Sequence, residues 1–396
     1  MSDSGLGRAW FRLLPIAKRV LALAAGSAPA IALPILSAAS LTRTESDQVL
    51  FAVSLAMTII LISTGASEAA CLGAIGAVAG ARRLTAGELR SVSSITIRRS
   101  AVLLVPVYSV VLGVFVIADE SRSLLIESLR LYWPVLLTPL VAVLSSGYSA
   151  YLISRNRIAT VLLSNGLRTV PIAAAVGLGL TPGTQVCAIL FGEALRLIAL
   201  ALSARRAADT APTSANFHTT TQLTLRSIAI QTLWVSTSQI AVLLLRAVFA
   251  AGPAGTFTAG ETALRVQNIA SQVVISGYVM SRVSEIPLTF AGLSGGAARR
   301  KALVVMVQCA GAGGVVTILL AVTLLPLSSL ATWNPDIAAG LILGVILSTA
   351  CAPIAASTWA TRAIVYRGRN DALLIIGGSL IPSLAALLAT QSGVLD

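Results

Sequence analysis

The sequence predicts an all-α polytopic membrane protein, on the basis of its composition, the length of its apolar stretches and the placement of its arginines. The 396 residues are 56% hydrophobic and 11% charged, with a mean hydropathy of +0.89. Such a chain has too little polar surface to cover a water-soluble globule of this size. The apolar stretches are interpreted as helices, because a helix satisfies its own backbone polar groups away from water.

Eleven stretches contain the roughly 20 mainly apolar residues that a membrane span needs. They are predicted at residues 20–41, 49–72, 101–118, 132–153, 158–180, 184–204, 227–250, 255–281, 303–326, 337–361 and 372–391. The basic start of the chain resembles a signal peptide. However, the apolar sequence continues to Leu41 without a convincing cleavage site, so we expect a retained first helix.

The basic residues lie on alternate connections and predict the orientation of the chain. The N-terminus and the even-numbered connections carry most of the 28 Lys and Arg residues, whereas the odd-numbered ones carry only Arg43, Arg122 and Arg130. By the positive-inside rule, the N-terminus is cytoplasmic and the C-terminus external, in a bacterial-type cytoplasmic membrane. The net charge of +13 does not indicate nucleic acid, because these residues do not form one basic domain with interleaved aromatics.

The spans divide into two groups. We predict a six-helix lobe at 1–204, a cytoplasmic linker at 205–226 and a five-helix lobe at 227–396. The basic turn at 155–157 precedes Pro171 much as the basic turn at 367–369 precedes Pro382. This spacing favours two parallel repeats, related by an axis along the membrane normal, around a central cavity.

Ionisable residues inside spans are the main clue to function, because they are costly in lipid and by default face a bundle interior or a watery cavity. Arg168 on the fifth span and Glu193 on the sixth are predicted near mid-membrane, where they can pair. Arg196 follows three residues after Glu193 on the same helical face. These residues either bind a substrate or form an ion pair that only fixes two neighbouring helices.

A second group of charges lies in the predicted outer half of spans seven and eight. Glu261 and Arg265 have the i, i+4 spacing at which side chains pair along one helix. Arg246 is then available to a phosphate, because a planar guanidinium group donates two hydrogen bonds to adjacent oxygens. The alternative is a purely structural triad of these residues.

Further polar residues complete the predicted site. Glu68, towards the cytoplasmic end of the second span, is a candidate for ion coupling. Amide side chains on spans seven and eight either line the path of sugar hydroxyls or hydrogen bond between helices; they are Gln239, Gln267, Asn268 and Gln272. The four cysteines show no CxxC spacing, so we predict no disulfide, metal site or cofactor.

Three stretches carry a resemblance to a known family. Residues 245–265 combine a charged residue near the end of span seven, a Gly-containing external turn and a small-residue entry to span eight. Residues 281–287 resemble a Pro-ended span eight, and residues 146–168 a span four to five junction. The chain thus resembles the multidrug/oligosaccharidyl-lipid/polysaccharide (MOP) flippase superfamily, in particular its polysaccharide-exporter and lipid II flippase branches. Members usually have twelve or more spans.

The resemblance implies a transporter that moves a polyprenyl-diphosphate-linked saccharide from the inner to the outer leaflet by alternating access. Its partners would be the lipid-linked substrate, membrane lipids and glycan polymerase or glycosyltransferase machinery, and we expect a monomer. One alternative is a drug or cation antiporter of the same superfamily. Another is a membrane polysaccharide polymerase or ligase, which the short external loops and the cytosolic position of His218 disfavour. We therefore expect that the protein is a transporter and not an enzyme.

Overall fold

The computed structural model describes residues 5–79, 84–117, 119–208, 225–274 and 334–348, with single residues between 300 and 322. These residues form helices and no strand, which confirms the all-α class. The helices are α1 (Gly5–Ser40), α2 (Arg43–Ala79), α3 (Ala86–Ile117), α4 (Asp119–Tyr132), the 3₁₀ helix Trp133–Leu137, α5 (Thr138–Ser154), α6 (Ile158–Gly177), α7 (Pro182–Ala207), α8 (Leu225–Ala251), α9 (Thr256–Val274) and a helix at Pro335–Ser348.

Six helical segments in this described part are long and apolar enough to cross a membrane. They are Lys18–Ser40, Arg43–Leu72, Ala86–Ile117, Ser121–Ser154, Ile158–Gly177 and Pro182–Ala207. All six coincide with the first six predicted spans, so the chain is a multi-pass membrane protein. Helices α8, α9 and Pro335–Ser348 fall in the predicted seventh, eighth and tenth spans. Most of the predicted ninth span and all of the eleventh lie outside the described residues.

The chain forms two compact units. The α2–α8 unit is Ala28–Phe257, and the α9 unit combines Met1–Ser27 with Thr258–Asp396. The division into lobes at a 205–226 linker stays a prediction, since residues 209–224 lie outside the described part of the chain.

Helix α2 forms the core of the α2–α8 unit. It packs against α3, α4, α5 and α8, and its most apolar window is 83% buried. Its hydroxyl side chains donate to backbone carbonyl groups one turn earlier, as Thr58 does to Ser54 at 2.8 Å and Ser67 to Ser63 at 2.6 Å. Polar residues thus fit this buried helix because their donors are satisfied within it.

Helix α3 begins at Ala86, well before the predicted start of the third span at residue 101. A capping box starts it: the Thr85 N–H donates to the Glu88 carboxylate at 2.8 Å, and the Glu88 N–H to the Thr85 hydroxyl at 3.3 Å. Buried side chains then recur every three or four residues, so this first part is an amphipathic helix. They include Leu89, Val92, Ser93, Thr96 and Ser100.

Helix α4 occupies residues that the sequence analysis left between the third and fourth spans. One narrow stripe of it is buried, at Ser121, Leu125, Ser128 and Tyr132. This stripe has helical spacing and packs α4 against α2, α3, α7 and α8. The third connection therefore contains an ordered helix that packs within the α2–α8 unit.

Two tight turns make α5, α6 and α7 sequential neighbours. Helix α6 ends in a Schellman motif at Gly179 (φ +62°), with the Leu180 N–H donating to the Ala175 carbonyl at 3.0 Å. Helix α5 ends in the same way at Asn156 (φ +59°), which is the basic turn of the sequence analysis. Because both turns are short, α6 returns antiparallel to α5, and α7 packs along α6.

In the α9 unit, the helix Pro335–Ser348 packs closely on α9. Asn334 caps it, since its side-chain oxygen accepts from the N–H groups of Asp336 at 3.0 Å and Ile337 at 3.1 Å. Gly340 and Gly344 face the α9 backbone with no room for a side chain. This is the small-residue packing by which membrane helices approach each other.

Candidate functional site

The predicted partners Arg168 and Glu193 form an ion pair between α6 and α7. Arg168 Nε donates to Glu193 Oε2, and Arg168 Nη2 donates to Glu193 Oε1 at 3.1 Å. Glu193 is fully buried, and Arg168 is 7% exposed. The pair is bidentate, which is the strong geometry for a guanidinium group and a carboxylate.

Arg196 joins this pair and extends it to α5. Its Nη1 donates to Glu193 Oε1 at 3.3 Å and to Ser145 Oγ at 2.7 Å, and its Nε donates to Asn165 Oδ1 at 3.2 Å. We call Arg168, Glu193 and Arg196 the buried charge network. Ser145 and Asn165 were not identified from the sequence. The position of Asn165, three residues before Arg168 on one helical face, was a signal that could have indicated its place beside the charges.

The close approach of α6 and α7 at this point depends on Gly192. A Cβ atom there would overlap the Arg168 carbonyl oxygen and lie 3.1 Å from the Leu167 carbonyl oxygen. Pro171 contributes, because it has no N–H to donate to the Leu167 carbonyl four residues earlier. The glycine and the proline thus bring Glu193 within reach of Arg168.

Glu68, the predicted ion-coupling residue, lies beside the network on α2. It is partly buried and interacts electrostatically with Arg196, Arg168 and Glu193. Two arginines therefore face two glutamates in this part of the α2–α8 unit. Such a balanced arrangement lowers the cost of burying each charge.

Arg246 lies on α8 and is buried, and its Nη1 donates to the Thr58 hydroxyl on α2. The adjacent α2 residue, Met57, contacts Arg168, with Sδ 3.9 Å from Nη1. Arg168 and Arg246 therefore reach the same turn of α2 and lie at a similar depth. Thr58 and Met57 were not identified from the sequence, because their role depends on which helices pack against α2.

The predicted site residues on α9 belong to the α9 unit. Glu261 and Arg265 pair along the helix as predicted, with 3.5 Å between Arg265 Nε and Glu261 Oε2. Gln267 donates to Ser271 Oγ at 3.0 Å on the same helix. The other amide residues of the predicted lining differ in exposure: Asn268 is exposed, and Gln239 on α8 and Gln272 on α9 are partly buried.

The chemistry available to the buried charge network is the binding of an anion. Two guanidinium groups converge on a single carboxylate, and a phosphate offers oxygens of the same kind. In this conformation the Glu193 carboxylate fills the position that such an anion would take.

Comparison with known proteins gives one structural likeness. No family model and no curated protein matches the chain. Among solved structures, the chain is similar to a MOP superfamily transporter from Pyrococcus furiosus, at 13% sequence identity over 96% of this chain and 95% of that chain, with a TM-score of 0.41. At this identity and TM-score, we assign neither a family nor an activity from the likeness.

Proposed function

We propose that this multi-pass membrane protein is a MOP-type transporter that moves a polyprenyl-diphosphate-linked saccharide from the inner to the outer leaflet by alternating access. The observation that carries the proposal is the pair of buried arginines, Arg168 and Arg196, that share the carboxylate of Glu193. Ionisable groups inside membrane-spanning helices generally mark a substrate or ion pathway. Guanidinium groups in particular match the oxygens of a phosphate.

Each part of the substrate has a matching feature in this proposal. Arg168 and Arg196 bind the diphosphate, and Arg246 at a similar depth on α8 adds a third cation. Amide and hydroxyl groups along the pathway contact the saccharide, while the polyprenyl chain stays in the bilayer. The buried state of the network corresponds to the unloaded protein, and opening of the pathway exposes the arginines to the substrate.

The proposed orientation places the chain in a bacterial-type cytoplasmic membrane with its N-terminus inside. Ser40 Oγ donates to the Gly177 carbonyl at 3.2 Å, so α2 begins at the same end of the unit as the α6–α7 turn. Arg43 lies at that end, whereas the Arg155–Arg157 turn lies at the other. The more basic end is then cytoplasmic by the positive-inside rule.

The test is a cell that lacks the wild-type protein and makes a surface glycan. Arg246→Ala is expected to abolish the glycan and to raise lipid-linked intermediates at an unchanged protein level in the membrane. Arg168→Ala is expected to do the same per molecule of protein in the membrane, since loss of the ion pair also lowers stability. Arg206→Ala is the matched control, because Arg206 is exposed in the last turn of α7. Wild-type glycan levels in both buried-arginine variants would contradict the proposal.

The main alternative is a drug or cation antiporter. Glu68 favours it, because a partly buried carboxylate within a span is the kind of group that takes up a proton or a cation. The two functions differ in the phenotype of Glu68→Gln. Loss of cationic-dye efflux with unchanged surface glycan supports the antiporter, whereas unchanged efflux with loss of glycan supports the flippase.

A further inference from the structure

Glu193 satisfies two guanidinium groups at once. Arg168 contacts both of its carboxylate oxygens, and Arg196 contacts Oε1 at 3.3 Å. The three side chains are 8%, 0% and 5% exposed, in the order Arg168, Glu193 and Arg196. Any anion that reaches these arginines in the buried state must therefore displace the carboxylate of Glu193.

The arginines keep other contacts that do not involve Glu193. Arg196 donates to Ser145 Oγ at 2.7 Å and to Asn165 Oδ1 at 3.2 Å, which orients its guanidinium group from α5 and α6. Arg168 contacts Met57 Sδ at 3.9 Å. The donor groups are thus preorganised, and the carboxylate is the part of the network that an incoming anion replaces.

We propose that Glu193 is an internal substitute for the substrate phosphates and that it makes the site selective for diphosphate over monophosphate lipids; this inference rests on the proposed function. A diphosphate has two phosphoryl groups and can give one to each arginine. A monophosphate has a single phosphoryl group. That group must compete with the Glu193 carboxylate, which is part of the same chain and already makes a bidentate contact with Arg168.

The experiment measures lipid binding to the purified full chain in nanodiscs, with undecaprenyl diphosphate and undecaprenyl phosphate as probes. The wild type is expected to bind the diphosphate at least about tenfold more tightly, which is the effect of one good charge-assisted contact. Glu193→Gln is expected to raise the affinity for the monophosphate about tenfold and so to reduce the preference. Glu127→Gln is the matched control, since this exposed carboxylate on α4 lies outside the network.

The outcomes separate this inference from the proposed function. If the wild type binds neither probe, the proposed substrate class is wrong. If the wild type prefers the diphosphate and Glu193→Gln keeps the same ratio of diphosphate to monophosphate affinity, the proposed role of Glu193 is wrong. The proposed function then still stands. If Glu193→Gln does not fold, Glu193→Asp replaces it, because a shorter side chain keeps the charge and weakens the bidentate contact. An unchanged ratio in that variant also overturns the inference.

Discussion

In two regions of the α2–α8 unit, carboxylates accept hydrogen bonds from different kinds of donor. In the buried charge network, Glu193 binds the guanidinium groups of Arg168 and Arg196. At the start of α2, where it contacts α4 and which we call the α4 end, Asp47 accepts from the Gly255 N–H at 2.7 Å. Glu127 accepts there from the Gln48 amide at 3.1 Å. The bonds to Glu193 have charged guanidinium donors, and these two bonds at the α4 end have neutral donors.

Access to water explains the difference. A cavity of about 150 Å³ lies at the α4 end, with Thr44, Asp47, Ser123 and Glu127 among the residues that line it. This volume can hold several water molecules, at about 30 Å³ each. The Glu193 carboxylate in the buried charge network is fully buried, and without a cation it would carry a large desolvation cost. We therefore expect loss of the ion pair in the buried charge network to cost more stability than loss of a carboxylate at the α4 end.

The largest effect is expected from Arg168→Met. The substitution leaves Glu193 buried with one guanidinium partner fewer, so the free energy of unfolding should fall by about 3–5 kcal/mol. Denaturation of the purified protein by SDS titration measures this loss. Arg206→Met, at an exposed position on α7, should change the same quantity by about 0.5 kcal/mol or less. Equal effects of the two variants would remove the distinction between buried and exposed charges.

Gly192→Ala tests whether helix contact, and not only charge, forms the network. The added Cβ meets the Arg168 carbonyl oxygen, so α7 must move away from α6 and stability should fall by about 1–3 kcal/mol. Gly183→Ala on the same helix is the control, because no atom lies within 4 Å of its added Cβ. A loss in Gly192→Ala no larger than in the control would mean that the two helices can separate freely at this point.

The two regions also differ in how far the sequence predicted them. The first six spans and the pairing of Arg168 with Glu193 follow from local hydropathy and from depth along a helix, and the described residues confirm them. Ser145 and Asn165 were missed, because their contact with Arg196 depends on the packing of α5 and α6 against α7. A one-dimensional pattern gives the depth of a residue but not the neighbouring helix that it faces.

The α4 end was largely missed from the sequence for a related reason. Helix α4 is rich in charged and polar residues, and its short buried stripe is a weaker signal than a 20-residue apolar stretch. The early start of α3 could have been predicted from the sequence, because Thr85 and Glu88 have the spacing of a capping box. Asp47 was placed in a connection, and its contact with Gly255 joins residues far apart in the chain.

Asp47→Ala should have an intermediate effect. Asp47 is buried, and its loss removes the acceptor of the Gly255 N–H, in a turn where Gly255 has a φ of +99°. An unsatisfied buried N–H costs about 1–3 kcal/mol, with the lower part of that range expected because water can enter the nearby cavity. Asp47→Asn keeps an acceptor oxygen and should retain most of the stability in the same SDS titration. If Asn is as damaging as Ala, the charge of Asp47 matters more than its hydrogen bond.

The smallest effect is expected from Gln48→Ala. Its amide donates to Glu127, which is exposed, and water can replace the lost donor, so the free energy of unfolding should change by about 0.5 kcal/mol or less. SDS titration of Gln48→Ala and Arg168→Met under the same conditions measures the loss in free energy of unfolding for both regions on one scale. A loss above about 2 kcal/mol would exceed what an exposed contact provides. It would show that the α4 end is closed to water in the membrane and that its carboxylates depend on protein partners as strictly as Glu193 does.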